Sequence, residues 1–421
     1  MAPPLRHLLP LLLAPAFAPA FAAEPQPAQD LRQMFGQGHV DANLRGLYYA
    51  TGNAFFAEGV DRDTVAAGGR LGFITAPLHG VSLRASVYLQ RNLVHAGTGR
   101  ERDLGRNLTA MGETWLQWQG EKLSLRAGNQ RLDEVPFTAS FDFRIVPQLY
   151  QGVRLRLGEG GNHFTAVRMF RYKSRIDESF SRSTNYNRRF SPHPPNAGDA
   201  ATDGFWAMGG AGKTTLGAAD ASGQIWLIRY LDYADLYFGQ AELAAGHGPL
   251  RPFAAVQFIA QHEQGAALLG PVDNRTYGLR VGMRSPRLTA TLNHNHMPHR
   301  AGAFHNGAVA TPYASYQTSG PLFAQPYLTS TQDLGTGDAW SLDLEVAASR
   351  QLRWGARWSY MDLSPAAGQP SIGQREYMVF ASYRFEGALK GWSVHNAFAV
   401  QQQRRHRVDY RENRLTLNYD Y

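Results

Sequence analysis

The sequence predicts an all-β chain: a transmembrane antiparallel β-barrel of about eighteen strands. Three observations carry that expectation. Apolar residues fall on every second position through most of the chain. The connections between these alternating segments are short and long by turns. No stretch beyond the N-terminus approaches the ~18 consecutive apolar residues of a membrane-spanning helix.

The segment Tyr277–Asn295, YGLRVGMRSPRLTATLNHN, shows the first observation. Tyr277, Leu279, Val281 and Met283 share one parity; Gly278, Arg280, Gly282 and Arg284 share the other. A turn at Ser285-Pro286 follows, and Leu288, Ala290 and Leu292 then alternate with Thr289, Thr291 and Asn293. Successive side chains of a strand point to opposite faces, so this is a hairpin with one apolar and one polar face. Candidate strands read the same way lie at 39–52, 66–76, 80–92, 110–120, 122–131, 148–158, 162–173, 203–213, 222–232, 235–246, 250–262, 274–285, 287–298, 337–350, 352–362, 374–386, 389–403 and 409–421.

Short turns lie at 77–80, 120–121, 158–161, 246–249, 285–286 and 386–391; longer connections lie at 53–65, 93–109, 132–147, 174–202, 299–336 and 363–373. Outer-membrane barrels sort their loops in this manner, short at the periplasmic end and long outside. Two connections break the rule: 214–221 reads as a long turn, and 233–234 is short for an external loop. Trp115, Trp118, Trp206, Trp226, Trp340, Trp354, Trp358 and Trp392 fall inside candidate strands and are expected in interfacial girdles.

The N-terminus carries Arg6 and His7, an apolar run, and Ala20-Phe21-Ala22 as a cleavage site. Residues 1–22 therefore read as a secretory signal peptide and 23–421 as the barrel, with a short polar arm at 24–38. The chain has no cysteine, which excludes thiol chemistry and cysteine metal sites. Formal net charge is +8, carried almost wholly by arginine, since Lys122, Lys173, Lys213 and Lys390 are the only lysines.

Some local patterns suggest other chemistry. GGAGKTT at 209–215 lacks the first glycine of a phosphate loop, where Ala207 stands, and no helix follows. His294, His296 and His299 could approach a metal, but fit the end of a strand equally well. Neither implies a cofactor, and no metal or catalytic residue is nominated.

With the apolar face toward lipid, parity sends arginine to the lumen. A lipid-facing arginine costs about 2–4 kcal/mol at the midplane. Arg84, Arg126, Arg154, Arg156, Arg280, Arg284, Arg353, Arg357, Arg384 and Arg414 are assigned to the water side on this ground. Fixed positive charge along a wet pore concentrates anions. About a third of these arginines are expected to pair with wall carboxylates such as Asp343 and Glu345.

The stretch GNQRLDEVPFTASFDFRIVPQLYQGVRL (128–155), with Gly128, Gln130, Pro136, Ser140, Asp142, Arg144, Pro147, Tyr150 and Gly152 in order, resembles the inward-folded third loop of the OprD family of outer-membrane channels. QPYLTSTQDLGTGDAW (325–340) is similar to that family's late loop. The terminal strand, with Leu415, Leu417, Tyr419 and Tyr421 on one face, resembles the signal read by barrel-assembly machinery, although Phe is the commoner last residue. The resemblance implies passive, substrate-selective diffusion of small solutes, many bearing carboxylates, through a monomer or weak trimer set in outer-membrane lipid and lipopolysaccharide, with no nucleic-acid partner. It implies that 132–147 folds inward as a constriction. Arg144 and Tyr150 then join the rail, and Asp133, Glu134 and Asp142 form an acidic counterface. A sugar-selective channel would need aromatic rails, for which Tyr88, Tyr150 and the Tyr313–Tyr327 segment are candidates. A barrel enzyme would need a nucleophile and base, and none is nominated.

Overall fold

The computed structural model describes residues 26–97, 104–138, 144–186, 201–246, 248–314, 321–329, 331, 334–366 and 368–421. The signal-peptide reading of 1–22 lies outside the described residues. Nineteen strands occur among the described residues: β1 (His39–Gly52), β2 (Arg62–Ile74), β3 (Val81–Gly97), β4 (Leu108–Met111), β5 (Thr114–Gln119), β6 (Leu123–Gln130), β7 (Leu149–Glu159), β8 (Asn162–Lys173), β9 (Phe205–Leu216), β10 (Ala219–Tyr230), β11 (Ala234–Ala245), β12 (Arg251–Glu263), β13 (Asp273–Arg284), β14 (Leu288–Met297), β15 (Thr336–Ala347), β16 (Leu352–Ser364), β17 (Gln374–Arg384), β18 (Trp392–Gln403) and β19 (Tyr410–Asp420). β4 and β5 both pair with β3 and are one stave interrupted at Gly112-Glu113, so the barrel has eighteen staves. Each pairs antiparallel with its neighbours in sequence, and β1 pairs with β19 to close the ring. Closure leaves no sheet edge, and so no unpaired backbone row facing lipid.

Every segment expected from alternation overlaps a strand. The long turn at 214–221 does not exist. β9 runs on to Leu216 and β10 begins at Ala219, leaving Gly217-Ala218 as a tight turn with Gly217 at φ +61. Small and polar residues there hid the pairing, because Gly212, Lys213 and Thr214 supply no apolar beat. The short connection after β10 is real: Leu231, Asp232 and Tyr233 join it to β11. The arm before β1 holds α1 (Leu31–Gly36), capped by Asp30, whose carboxylate accepts from the Gln33 N–H at 2.7 Å. Met34 of α1 packs with Ala28 and Ala76 beside the first short turn.

Parity holds along the staves. Tyr277, Leu279, Val281 and Met283 are each at least 42% exposed, while Arg280 between them is 4% exposed. Most tryptophans face out, but Trp115 and Trp226 are buried and face in, so they do not belong to the girdles. One polar pair stands on the outer face: Asn396 Nδ2 donates to Asn413 Oδ1 at 2.8 Å and to the Arg414 carbonyl at 3.0 Å. The partners satisfy each other, which lowers the cost of amides toward lipid. His294 and His296 also face out, and both contact Asp338, at 2.8 and 3.0 Å.

The buried apolar residues lie inside the ring, where loops fill it. Leu132, Val135 and Phe137 of the 131–148 connection are fully covered, as are Val309, Ala310, Leu322, Ala324 and Leu328 of the 298–335 connection. The described parts of the second loop therefore fold inward together with those of the first, whereas its length alone marks it as a long external connection.

Replacing Leu279 by arginine is expected to destabilise the barrel by about 2–4 kcal/mol. Urea unfolding in liposomes would read this as a lower midpoint; an unchanged midpoint would place Leu279 away from lipid. A tag inserted at Gly368 is expected to be labelled on intact cells and one at Gly387 is not. Labelling in the opposite sense would invert the barrel.

Candidate functional site

Arginines divide by what covers them. Arg144, Arg280, Arg357 and Arg414 are buried and brace the inward loops. Arg357 pairs with Asp343 and donates to the Gln325 carbonyl. Arg280 donates to Asn293 Oδ1 at 2.5 Å and lies 4.2 Å from the centre of the Phe323 ring. Arg414 pairs with Glu412 and stacks between Tyr49 and Tyr327, at 5.2 and 4.7 Å. Arg144 sits 4.7 Å over Tyr49, and its carbonyl accepts from Arg45 Nη1 at 2.6 Å. These four hold the plug more than they line open space.

The loops are stitched to the wall by inward-facing amides and acids. Gln261 bonds both backbone groups of Ala310, each at 2.7 Å. Asn295 Oδ1 accepts from Ala324 N at 2.8 Å, and Gln257 Nε2 donates to the Pro321 carbonyl at 2.7 Å. Buried Glu376 accepts from Tyr327 N (2.5 Å), Leu328 N (2.9 Å) and Gln401 Nε2 (3.1 Å). Tyr150 clamps the two loops together: its hydroxyl donates to the Thr138 carbonyl at 2.8 Å and lies 3.1 Å from that of Tyr313. Its ring packs with Tyr172, Phe205 and Tyr313. Tyr88, Tyr150, Tyr313 and Tyr327 are thus buried packing residues, and Tyr316 of the same segment lies outside the described residues.

A second group of arginines keeps contact with water. On β2 to β7 stand Arg70, Arg84, Arg126, Arg154 and Arg156, facing Asp41, Glu113 and Glu134. Arg70 and Arg84 both pair with Asp41, and Arg84 also reaches Glu113 at 3.4 Å. Arg154 Nε meets Glu134 at 2.8 Å. Arg126 and Arg154 are direct cross-strand partners on the inner face. Arg126 has no carboxylate contact among the described residues; it donates to Gln117 Oε1 at 2.8 Å and lies 4.3 Å over the Trp115 ring. Arg156 donates to the Gly160 carbonyl at 2.8 Å. On the facing wall Arg284 meets Glu242 at 3.4 Å and Arg353 meets Glu345 at 3.5 Å. Arg384 shares the inner parity of β17 and lies within electrostatic reach of Arg353 and Asp420.

At least six of the ten sequence-assigned rail arginines, Arg84, Arg154, Arg284, Arg353, Arg357 and Arg414, have a carboxylate partner. That exceeds the expected third, because distant strands and the folded loop bring Glu134 and Glu242 to arginines that sequence spacing could not pair. Glu134 stands at the wall, whereas Asp133 pairs with Arg131 at 3.1 Å and is exposed. Asp142 lies outside the described residues. Arg70, Asp41, Glu113 and Glu242 were not singled out from sequence. Glycines around Arg70 (Gly68, Gly69, Gly72) mask its parity, and the acids could have been found by the same alternation that found the arginines.

A family model described as outer membrane porin, OprD family, matches residues 99–421. The chain belongs to the OprD family of outer-membrane porins. Among solved structures, this OprD-family chain is similar to Pseudomonas aeruginosa OccK9 (OpdG), with 19% identity and a TM-score of 0.76 over 92% of this chain and 99% of that one. It is similar to P. aeruginosa OpdK solved with vanillate, with 16% identity and a TM-score of 0.75 over the same shares. P. aeruginosa OccK2 (OpdF), solved with glucuronate, gives 18% identity and a TM-score of 0.71 over 90% and 97%. No curated protein sequence matches. The shared feature is the fold: a closed antiparallel barrel of eighteen staves.

Changing Glu376 to alanine removes the acceptor of three N–H donors and is expected to loosen the 325–331 segment. Leaving buried donors unpaired costs about 1–3 kcal/mol each. Single-channel conductance in a planar bilayer should rise; a conductance equal to that of the parent porin would place the late loop outside the current path.

Proposed function

We propose that this porin is a channel for passive, selective diffusion of small carboxylate-bearing anions across the outer membrane of a Gram-negative bacterium. In this reading residues 1–22 are a leader and 23–421 the barrel. The observation that carries it is the cross-strand pair Arg126 and Arg154 on the inner face. Like charges directly opposite on a sheet repel by a fraction of a kcal/mol. Glu134 relieves Arg154, but Arg126 keeps its charge toward the lumen. A passing carboxylate offers Arg126 the bidentate partner that its wall does not. Arg156, two residues along β7, and Arg84 on β3 extend the cationic track, while Glu113 and Glu134 limit its net positive charge.

Vanillate and glucuronate, in the OpdK and OccK2 structures, are both carboxylate anions. That agreement supports the reading for this chain. Among the described residues, the buried positions of Tyr88, Tyr150, Tyr313 and Tyr327 do not favour a sugar-selective channel.

The double variant Arg126→Gln/Arg154→Gln is expected to fold as the parent does, since it removes no lipid contact. Reversal potential under a KCl gradient should move toward cations, and liposome uptake of vanillate should slow severalfold. Several fixed charges within a Debye length of roughly 8 Å set the permeant sign together. If the double variant folds and neither reading moves, these arginines do not set selectivity and the carboxylate assignment fails.

A further inference from the structure

Outward-facing arginines ring the long-loop end of the barrel, and three of them are held by protein. Arg168 donates to the Met169 and Asp203 carbonyls at 2.7 Å and packs on Phe170 and Trp206. Arg229 forms two 2.8 Å bonds to Asp235. Arg91 donates to the carbonyls of Gln90 and Leu108.

The sector from β16 to β19 differs. Arg375 and Arg411 occupy outer-face positions at the first turns of β17 and β19 and are exposed. The connection 404–409 between β18 and β19 adds Arg404, Arg405 and Arg407, all exposed. Arg404 folds back over the outer wall: its Nη2 lies 3.4 Å from Tyr360 Oη, and its stem fills the space that a side chain at Gly373 (φ +51) would occupy. Arg405 donates to the Pro370 carbonyl. None of the five has an ion pair among the described residues. Asp362 and Asp409 are the outer-face carboxylates at the long-loop end of this sector, and the Asp409 side chain accepts from Gln402 at 3.3 Å. Asp61 of the β1–β2 connection lies beside Gly52, next to Arg411. Five arginines against these three acids leave a net charge of +2.

The level of the patch follows from the strand. Tyr377 and Trp358, cross-strand partners on the outer face, are exposed aromatics of the kind that mark the lipid boundary. Arg375 lies two residues beyond Tyr377, about 6–7 Å toward the outside. The patch therefore stands at and just above the headgroup layer, with apolar surface below it.

We propose that this sector is a binding site for the phosphorylated headgroup of an outer-leaflet glycolipid, with Arg375, Arg404 and Arg411 as phosphate ligands and Tyr377 and Trp358 against its acyl chains. Guanidinium groups match phosphate through paired N–H donors. A headgroup supplies the anion and the apolar chains together, which a soluble phosphate does not. The site rests on the outer-membrane placement of the porin and is independent of solute selectivity.

Folded porin in detergent, titrated with diphosphorylated lipid A and followed by native mass spectrometry, tests this. The triple variant Arg375→Gln/Arg404→Gln/Arg411→Gln should bind on the order of a hundredfold more weakly, at about one kcal/mol per basic side chain near an anionic surface. A charge-matched control at the arginines held by protein, Arg91→Gln/Arg168→Gln/Arg229→Gln, should bind as the parent does. Lipid A stripped of both phosphates should bind parent and triple variant alike. Equal binding of diphosphorylated lipid A by the triple variant and the parent overturns the site, as does equal loss in the control. Displacement of lipid A by millimolar inorganic phosphate would reassign the patch to soluble anions. Single-channel selectivity of the triple variant should match the parent; a shift there without a change in lipid binding would make the patch part of the pore mouth.

Discussion

An eighteen-stave barrel encloses more space than its own side chains can fill. That single constraint orders the rest of this structure. The wall satisfies its own backbone by closing on itself, but the interior must be partly filled by chain from the loops. Each loop brought inside carries backbone N–H and C=O groups, and each such group needs a partner. The wall supplies them from its inward positions: Gln261 to Ala310, Asn274 to Gly307, Asn295 to Ala324, Glu376 to Tyr327 and Leu328. The polar lining of the barrel is therefore in large part an anchor for the plug.

This gives the arginines two jobs that look alike in sequence. Arg357 and Arg414 reach loop or aromatic partners under a covered surface and are balanced by Asp343 and Glu412. Arg126, Arg156 and Arg353 stand on faces that water still reaches. A buried guanidinium without an acid would be costly, so the covered set must be paired or stacked. The wet set has no such obligation, because water solvates its charge.

The fold was legible because period two persists over almost every stave, and because lipid penalises any error of parity. Arg280 against Leu279 and Val281 could only be read one way. Legibility failed where the physical cause lies off the strand. Gly217-Ala218 looked like part of a long turn because Gly212 and Thr214 carry no apolar signal. Trp115 and Trp226 were taken for girdle residues, since nothing in their neighbours tells that Trp115 supports Arg126 or that Trp226 packs against the inward core. The division of the arginines into covered and wet could not be read either. It depends on where the described parts of 298–335 fold, and that path is set by bonds to β7 and to each strand from β12 to β18.

The wet wall also shows how a cationic surface is held without collapsing on itself. Arg126 and Arg154 repel across one rung, and Arg70 and Arg84 both reach Asp41. If every arginine had its own acid the track would be neutral; if none had, the repulsion would add up from rung to rung. Three acids among five arginines leave the wall cationic while bounding the repulsion. Glu134 comes from the inward loop and not from a stave, so the same loop that narrows the lumen also trims its charge. Constriction and electrostatics are coupled through that one residue: a shift of the loop would change the bore and the field at Arg154 together.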